Sequence, residues 1–92
     1  MHYFYILYSS TLDSYYIGET VNVELRLDQH NSGYFEKSYT KIADDWSLEL
    51  VLTFKSISSA RKAELFVKKM KSKEFIKRLI IDNQWFSDRF NQ

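Results

Sequence analysis

Aromatic and aliphatic residues alternate with polar turns over the first twenty positions of the chain. Residues 3–8 (YFYILY) are aromatic and β-branched and predict a strand, and residues 15–17 predict a second short strand that ends at Gly18. The polar residues 9–14 between them are typical of a turn. The two predicted strands are close enough along the chain to form a hairpin.

A helix with one polar side is predicted after the hairpin. Asn22 is a good N-cap for the segment that follows, and Gly33 suits the left-handed position just past a helix end. Asn22, Arg26 and His30 recur at intervals of four residues, so they lie along one side of the predicted helix. Residues 34–46 have no clean period and predict a long connection.

The second half of the chain predicts one more strand and further helices. Residues 48–54 carry a large apolar side chain at every second position, which predicts a half-buried strand. The residues on its apolar face are Leu48, Leu50, Leu52 and Phe54. Ser58 or Ser59 is predicted to cap a second helix, residues 73–82 form a third, and Asn83 is predicted to cap a last short helical piece.

The predicted element order is β-β-α-β-α-α, followed by that short piece. This order predicts an α/β (α+β) fold with a small three-stranded sheet flanked by helices. With no proline and 2 glycines, the sequence shows no linker, so residues 1–92 are expected to form a single domain with a core over about residues 3–82. No G-x-G-x-x-G motif is present, which excludes a dinucleotide-binding βαβ fold.

Composition excludes several classes of site. The chain has no cysteine, which rules out disulfides, thiolate zinc sites and a cysteine nucleophile, and its 2 histidines make a structural zinc site unexpected. No apolar run approaches the ~20 residues that a membrane helix needs, and no signal-peptide pattern opens the chain. We therefore expect a cytoplasmic protein with no membrane partner.

Charge is unevenly distributed although the net charge is only +1. Between Arg61 and Arg78 there are eight basic residues and two acidic residues, so this segment carries +6 and the rest of the chain −5. A basic segment of this kind fits a polyanion such as DNA, and it equally fits a solvated helix surface. The candidate nucleic-acid-binding residues are Lys62, Lys68, Lys69 and Lys71.

Five side chains of suitable chemistry are expected to converge on the hairpin: Tyr5, Tyr16, Arg26, His30 and Glu64. This set suits phosphodiester cleavage, because a guanidinium fork can stabilise the extra charge of the phosphate in the transition state. A lone carboxylate at the rim of a helix can hold Mg²⁺, which keeps several waters and needs one or two carboxylates. The absence of a D-x-D or D-x-x-E group favours one metal over two.

Each of these residues also has a purely structural explanation. Single tyrosines commonly pack in a core or across strands, and a histidine near a helix C-terminus interacts favourably with the helix dipole. Glu64 and Lys68 are spaced as an ordinary surface ion pair on a helix. Taken singly, these residues do not distinguish a catalytic site from a structural one.

Their order and spacing together resemble the GIY-YIG nuclease family, and in particular its small stand-alone bacterial members. The first motif corresponds to residues 4–6 (FYI), and the second is intact at residues 16–18 (YIG). LRLDQHN, residues 25–31, looks like the family helix with an arginine and a histidine four residues apart. SARKAELFVKK, residues 59–69, looks like the helix that bears the family's metal-binding glutamate, and the resemblance reaches about residue 78.

The resemblance implies a role for each matching residue. Tyr5 and Tyr16 match the two motif tyrosines, one of which acts as general base or orients the attacking water. Arg26 matches the arginine that stabilises the phosphate, and His30 matches a position that assists proton transfer or holds the phosphate. Glu64 matches the sole protein ligand of Mg²⁺ or Mn²⁺.

Other positions complete or depart from the family pattern. Gly18 matches the glycine that lets backbone approach the site closely. Tyr3 replaces the glycine that opens the first motif, as in other small members. Glu19 stands where repair-type relatives have lysine, and its negative charge either weakens DNA binding or assists metal capture. Asn83 is the only candidate for an asparagine that larger relatives place near the metal, and it is not assigned that role.

Two functions remain open. The first is a divalent-metal-dependent endonuclease of DNA repair or recombination, directed to its target by DNA structure, a protein partner or a homodimer. The second is a catalytically weak nucleic-acid-binding or protein-adaptor module of the same fold, with Trp85, Phe86 and Phe90 as a docking patch. Metal-dependent nicking would distinguish the enzyme from the adaptor.

Overall fold

The protein, described here by a computed structural model over residues 1–32 and 43–91, has a three-stranded antiparallel sheet with helices on both faces. The strands are β1 (His2–Ser9), β2 (Ser14–Thr20) and β3 (Ser47–Phe54). The helices are α1 (Val23–Asn31), α2 (Ile57–Met70), α3 (Lys73–Ile81) and α4 (Gln84–Phe90). The predicted fold class and hairpin are confirmed, and the last short piece is a full two-turn helix.

Strand β1 lies in the middle of the sheet, between β2 and β3. Its central residues Phe4, Tyr5, Ile6 and Leu7 are all buried, which is typical of a strand covered on both faces. Because side chains alternate along a strand, Phe4 and Ile6 face one layer while Tyr5 and Leu7 face the other. One strand therefore contributes to two separate apolar clusters.

The larger cluster lies between the sheet and helices α2, α3 and α4. Ala60, Ala63 and Val67 form the buried side of α2, and these small side chains let the helix pack closely on β1 and β2. Phe86 of α4 is fully buried against Phe4, with ring centroids 5.3 Å apart. Phe86 is therefore a core residue and does not belong to an exposed docking patch.

The apolar face predicted for β3 is wrong at one position. The pairing of β1 with β3 shifts between Ile6 and Leu7, so that Leu50 is opposite Ile6, Leu48 is opposite Leu7, and Glu49 is passed over. A one-residue shift moves a side chain to the opposite face of a sheet. Leu48 consequently lies on the Tyr5 face, where it is 40% exposed.

The helix caps differ from the predicted ones for local reasons. Helix α2 begins at Ile57, and its N-cap is Ser56, whose extended backbone lets the hydroxyl accept a hydrogen bond from the Ser59 amide at 3.1 Å. The prediction of Ser58 or Ser59 as the cap was therefore wrong. Asn83 occupies the N-cap position of α4, but its side-chain amide donates backward to the Ile80 carbonyl instead of capping the helix.

The segment that returns to the sheet before β3 ties down the hairpin turn. The Asp45 carboxylate accepts four hydrogen bonds, from the side chains of Ser9, Ser10 and Thr11 and from the Thr11 amide. These bonds hold the pKa of Asp45 well below its usual range. Gly33 and most of the predicted 34–46 connection lie outside the described residues. Among the helices that are described, none has the length and apolar character to span a bilayer.

Candidate active site

Tyr5 and Gly18 face each other across β1 and β2, and the tyrosine ring occupies the space above the glycine. A Cβ atom built on Gly18 would lie 2.5 Å from the Tyr5 hydroxyl oxygen and 2.6 Å from Cζ. Tyr5 is only 1% exposed, and its hydroxyl is 3.0 Å from Nε2 of His30 on α1. The glycine thus lets the phenol cross β2 and reach the first helix.

Tyr16 and His30 complete a cluster of three rings with Tyr5. The Tyr16 and His30 ring centroids are 4.5 Å apart, and those of Tyr16 and Tyr5 are 6.2 Å apart. Tyr16 lies opposite Leu7 in the hairpin, so it shares the sheet face of Tyr5. His30 lies in the last turn of α1. The first turn of this helix is capped by Asn22, whose side chain accepts a hydrogen bond from the Leu25 amide at 3.0 Å.

Burial keeps both members of the Tyr5–His30 hydrogen bond uncharged at neutral pH. Burial raises the pKa of Tyr5 far above its usual value, Tyr16 adds to the shift, and the Arg26 charge opposes it. Burial and then the Arg26 charge lower the pKa of His30 to about 4. The Arg26 charge acts on both groups, so its guanidinium lies within electrostatic reach of the ring cluster. In this state Tyr5 is suited to hydrogen bonding and not to accepting a proton.

Asn31, next to His30, holds Trp46 against this cluster. Its side chain donates to the Trp46 carbonyl at 2.9 Å and accepts from the Trp46 amide at 2.7 Å. The Trp46 ring in turn lies edge-on to Tyr16, with centroids 6.4 Å apart. Sequence reasoning missed this contact, although the asparagine following His30 was a signal, since Asn can pair with both polar groups of a backbone unit.

Glu64 projects from α2 into an open groove that it shares with Glu19, Arg61 and Leu65. Its side chain is 18% exposed, and its carboxylate accepts a 2.5 Å hydrogen bond from the Lys68 ammonium. The Glu64 charge contributes to the raised pKa of Tyr5, which places the carboxylate within electrostatic reach of that phenol. Among the described residues the groove lining includes no member of the ring cluster, so the link between the two is electrostatic.

Glu19 is a second carboxylate in this groove and has two partners that the sequence did not indicate. Its carboxylate pairs with Nε2 of His2 and lies 3.5 Å from Nε of Arg61. The Arg61 guanidinium offsets its negative charge. The structure thus places Glu19 beside Glu64, directly after the Y-I-G motif.

The four candidate lysines are all exposed but lie on two different surfaces. Lys68 lies one helical turn from Glu64, and with Lys71 it lines a groove along β2. Lys62 and Lys69 lie about 160° and about 140° around the α2 axis from Glu64, at ~100° per residue. Only the first pair is therefore next to the candidate site.

Comparison with known proteins supports the sequence motifs. The sequence profile of the GIY-YIG catalytic domain matches residues 1–78. The chain is 40% identical over 73 residues to a UPF0213 protein of Syntrophus aciditrophicus, covering 79% of this chain and 83% of that protein. It is 37% identical over 79 residues to the UPF0213 protein in the ldhD 5′ region of Pediococcus acidilactici, covering 84% and 79%.

A solved structure resembles the whole arrangement. The solution NMR structure of a UPF0213 protein from Bacillus halodurans superimposes with a TM-score of 0.54 at 28% identity. The match covers 96% of this chain and 92% of the other. The likeness therefore includes the sheet and the helices that carry the candidate site.

Proposed function

Because this chain belongs to the GIY-YIG catalytic domain family, which is a family of nucleases, we propose that it is an endonuclease that hydrolyses DNA phosphodiester bonds with the help of a divalent cation. The main support for this proposal is the ring cluster formed by Tyr5, Tyr16 and His30. The positive charge of Arg26 acts on this cluster and helps to lower the pKa of His30. Glu64 lies within electrostatic reach of the same cluster.

Arg26 is the residue that stabilises the reacting phosphate. Its planar guanidinium presents parallel N–H donors that match two phosphate oxygens, and a lysine cannot reproduce that geometry. The phosphate gains negative charge on the way to the transition state, so a fixed positive group lowers the barrier. The half-buried position of Arg26 reduces screening of this charge by water.

The two tyrosines have different roles in this proposal. Tyr5 stays protonated, because burial raises its pKa, and its hydrogen bond to His30 fixes the orientation of both groups. Tyr16 is only half-buried, so its hydroxyl is the one that water entering with substrate can reach. We therefore assign Tyr16 to orient the attacking water or accept its proton, with Tyr5 and His30 holding it in place.

The groove lined by Glu64 and Glu19 is suited to a magnesium or manganese ion. Glu64 provides carboxylate oxygens, Glu19 provides a second carboxylate in the same groove, and Mg²⁺ needs just one or two of them besides water and substrate phosphate. When bound, the cation supplies positive charge that stabilises the phosphate in the transition state. Water and substrate phosphate would complete the coordination of the cation.

Target choice is a separate part of the proposal. Lysine contacts to backbone phosphates give affinity without sequence specificity and a strong dependence on salt. We propose that DNA structure, a partner protein or a second copy of the chain selects the cleavage position, as suits an enzyme of repair or recombination. The adaptor function of the same fold remains as an outcome of the test below.

The test is nicking of supercoiled and branched DNA with Mg²⁺ or Mn²⁺. Glu64→Gln, Arg26→Lys and Tyr16→Phe each change few atoms, and we expect each to lower the nicking rate at least about 100-fold, the size of an electrostatic contact made in the transition state. Glu74→Gln, at an exposed carboxylate on α3 paired with Lys77, is the matched control and should nick normally. Thermal melting verifies that each variant is folded.

One result would contradict the role of Glu64, and another would contradict the enzyme. Nicking by Glu64→Gln at the rate of the unaltered protein would show that the Glu64 carboxylate takes no part in the reaction. Salt-sensitive DNA binding by the unaltered protein, without nicking under any metal, would instead support the adaptor function.

A further inference from the structure

A basic groove runs along β2, which is an edge strand of the sheet. We call it the β2 groove; its volume is about 230 Å³. Three lysines, Lys68, Lys71 and Lys73, line it together with the hydroxyl-bearing residues Ser14 and Ser72. Its remaining lining residues are apolar or aromatic: Tyr15, Ile17, Val67 and Ile76.

The β2 groove begins where the candidate active site ends. Lys68 lines the groove, and its ammonium is 2.5 Å from the Glu64 carboxylate. Within the described part of the chain no carboxylate lines the groove. The acidic group at its far end is Asp13, whose carboxylate is 3.4 Å from the Lys73 ammonium in an exposed pair. Two of the three groove lysines thus have a carboxylate partner, and Lys71, between them, adds a further positive charge.

Lys71 occupies a backbone position that does not favour lysine. It is the C-cap of α2, with φ 48° and ψ 42°, in the left-handed region. Helices that end in this conformation commonly use glycine or asparagine there, because a Cβ atom is strained. A strained residue at the rim of a groove is grounds for a functional hypothesis, since a glycine would fold more easily but would carry no charge.

We propose that the β2 groove binds an unpaired nucleic-acid strand adjacent to the scissile phosphate, an inference that rests on the proposed endonuclease function. Sites for single strands combine a positively charged groove along the backbone with aromatic or apolar surface for the bases. The β2 groove has both, whereas contacts to duplex phosphates need only exposed charges. The substrate class is therefore DNA with unpaired nucleotides beside the cleavage position, such as a flap or a branch.

The first test is binding without metal, so that it does not depend on cleavage. Fluorescence anisotropy with a labelled 12-nucleotide single strand and with a hairpin duplex would be measured in EDTA over a series of salt concentrations. Lys71→Gln/Lys73→Gln removes two groove charges, and Lys55→Gln/Arg89→Gln removes two charges outside the groove and outside the basic segment 61–78. Both double variants have the same net charge, which makes the second a matched control.

The groove variant is expected to bind the single strand about tenfold more weakly. Its plot of log affinity against log salt should be shallower by about 1.4, since each phosphate contact to a single strand contributes a slope of about 0.7. The control should keep the slope of the unaltered protein. Equal losses in both double variants, no loss in either, or a loss confined to the duplex would overturn the proposal.

The second test uses Lys71→Gly. Removing the left-handed strain should raise the melting temperature by about 4 °C, as expected for a small stabilisation of a domain of this size. Single-strand binding should weaken in the same variant by about threefold. A purely structural role for Lys71 predicts no loss of binding by this more stable variant, and that result would overturn the proposal.

The two proposals fail in different ways. Absence of nicking by the unaltered protein, together with the expected binding losses, would contradict the endonuclease and leave the groove as a strand-binding site. Normal nicking, together with single-strand binding and flap cleavage unaffected by Lys71→Gln/Lys73→Gln, would contradict the groove alone.

Discussion

Tyr5 occupies the volume that a side chain on Gly18 would need. The two residues face each other across the hairpin, and the Tyr5 hydroxyl oxygen would lie 2.5 Å from a Cβ atom at position 18. The phenol continues over the glycine to Nε2 of His30, 3.0 Å away. The tyrosine of the first motif therefore requires a glycine at this position of the second motif, because a side chain there would overlap its ring.

Gly18→Ala should destabilise the protein by about 3 kcal/mol, at the upper end for overpacking a buried site. The new methyl group would meet the Tyr5 ring, which is 1% exposed and has no room to move aside. The free energy of unfolding in urea measures this effect. If the clash is the cause, Tyr5→Leu/Gly18→Ala should cost at least about 1 kcal/mol less than the sum of the single changes. Additive single effects would contradict the steric explanation.

The pH dependence of stability should report the burial of His30. Its pKa is lowered to about 4 in the folded protein, whereas the unfolded chain titrates near 6.5. Between these two values the unfolded state binds more protons, so the free energy of unfolding falls as the pH decreases. The loss should be complete near pH 4 and amount to at most about 3 kcal/mol, at 1.36 kcal/mol per pKa unit. Above pH 6.5 this contribution is constant.

His30→Gln is the control for that measurement, because glutamine does not titrate. Its stability should depend less steeply on pH between 4 and 6.5, whatever its stability at neutral pH. Urea denaturation at half-unit intervals of pH gives both curves. Parallel curves for the variant and the unaltered protein would show that other groups cause the pH dependence.

Asn31→Ala should lower the free energy of unfolding by about 2 kcal/mol, because it removes two hydrogen bonds to the Trp46 backbone. It should also loosen the Trp46 ring on Tyr16. In a Trp85→Phe background, Trp46 is the remaining tryptophan, and its fluorescence should shift toward that of a solvated indole. Asp28→Ala, at an exposed residue of α1, should change stability by less than about 0.5 kcal/mol and leave the emission unchanged. An unaltered emission in Asn31→Ala would show that Trp46 is held by other contacts.

Lys68→Met should increase the affinity for Mn²⁺ by about twofold. The Lys68 ammonium lies on the Glu64 carboxylate, so it competes with a cation for the same oxygens and repels it. A helical ion pair four residues apart is worth only about 0.3–0.5 kcal/mol, which sets the modest size of the effect. Calorimetric titration with Mn²⁺ in the absence of DNA measures the affinity. Lys69→Met changes the net charge equally on the far side of α2, and an equal increase in that variant would refute the competition.

The hairpin could be predicted from the sequence because its information is local. Alternating aromatic residues, a short polar turn and a terminal glycine together specify the pairing of β1 with β2 and put Tyr5 and Tyr16 on one face. The shift in β3 could not be predicted, since Glu49 differs in no obvious way from the other polar residues of an alternating strand. Ser56 was missed as the α2 cap because two serines follow closely and all three are acceptable cap residues.

Residues of the candidate site could be predicted where their spacing along a single helix or strand fixes their position, and could not where contacts between distant segments fix it. The four-residue spacing of Arg26 and His30 fixes their common side of a helix, whatever the helix packs against. The Asn31–Trp46 pair joins residues fifteen apart through the backbone of Trp46, so the asparagine signals a backbone contact without identifying its partner. The partners of Glu19 come from β1 and α2, so the sequence around the Y-I-G motif does not identify them.

The central position of β1 makes one strand serve both layers of the fold. Phe4 and Ile6 hold the helices of one layer, and Tyr5 and Leu7 shape the other, yet the four residues are consecutive on one backbone. Any displacement of that backbone is transmitted to both sides of the sheet at once. A substitution that shifts the β1 backbone is therefore expected to disturb the ring cluster and the helical core together.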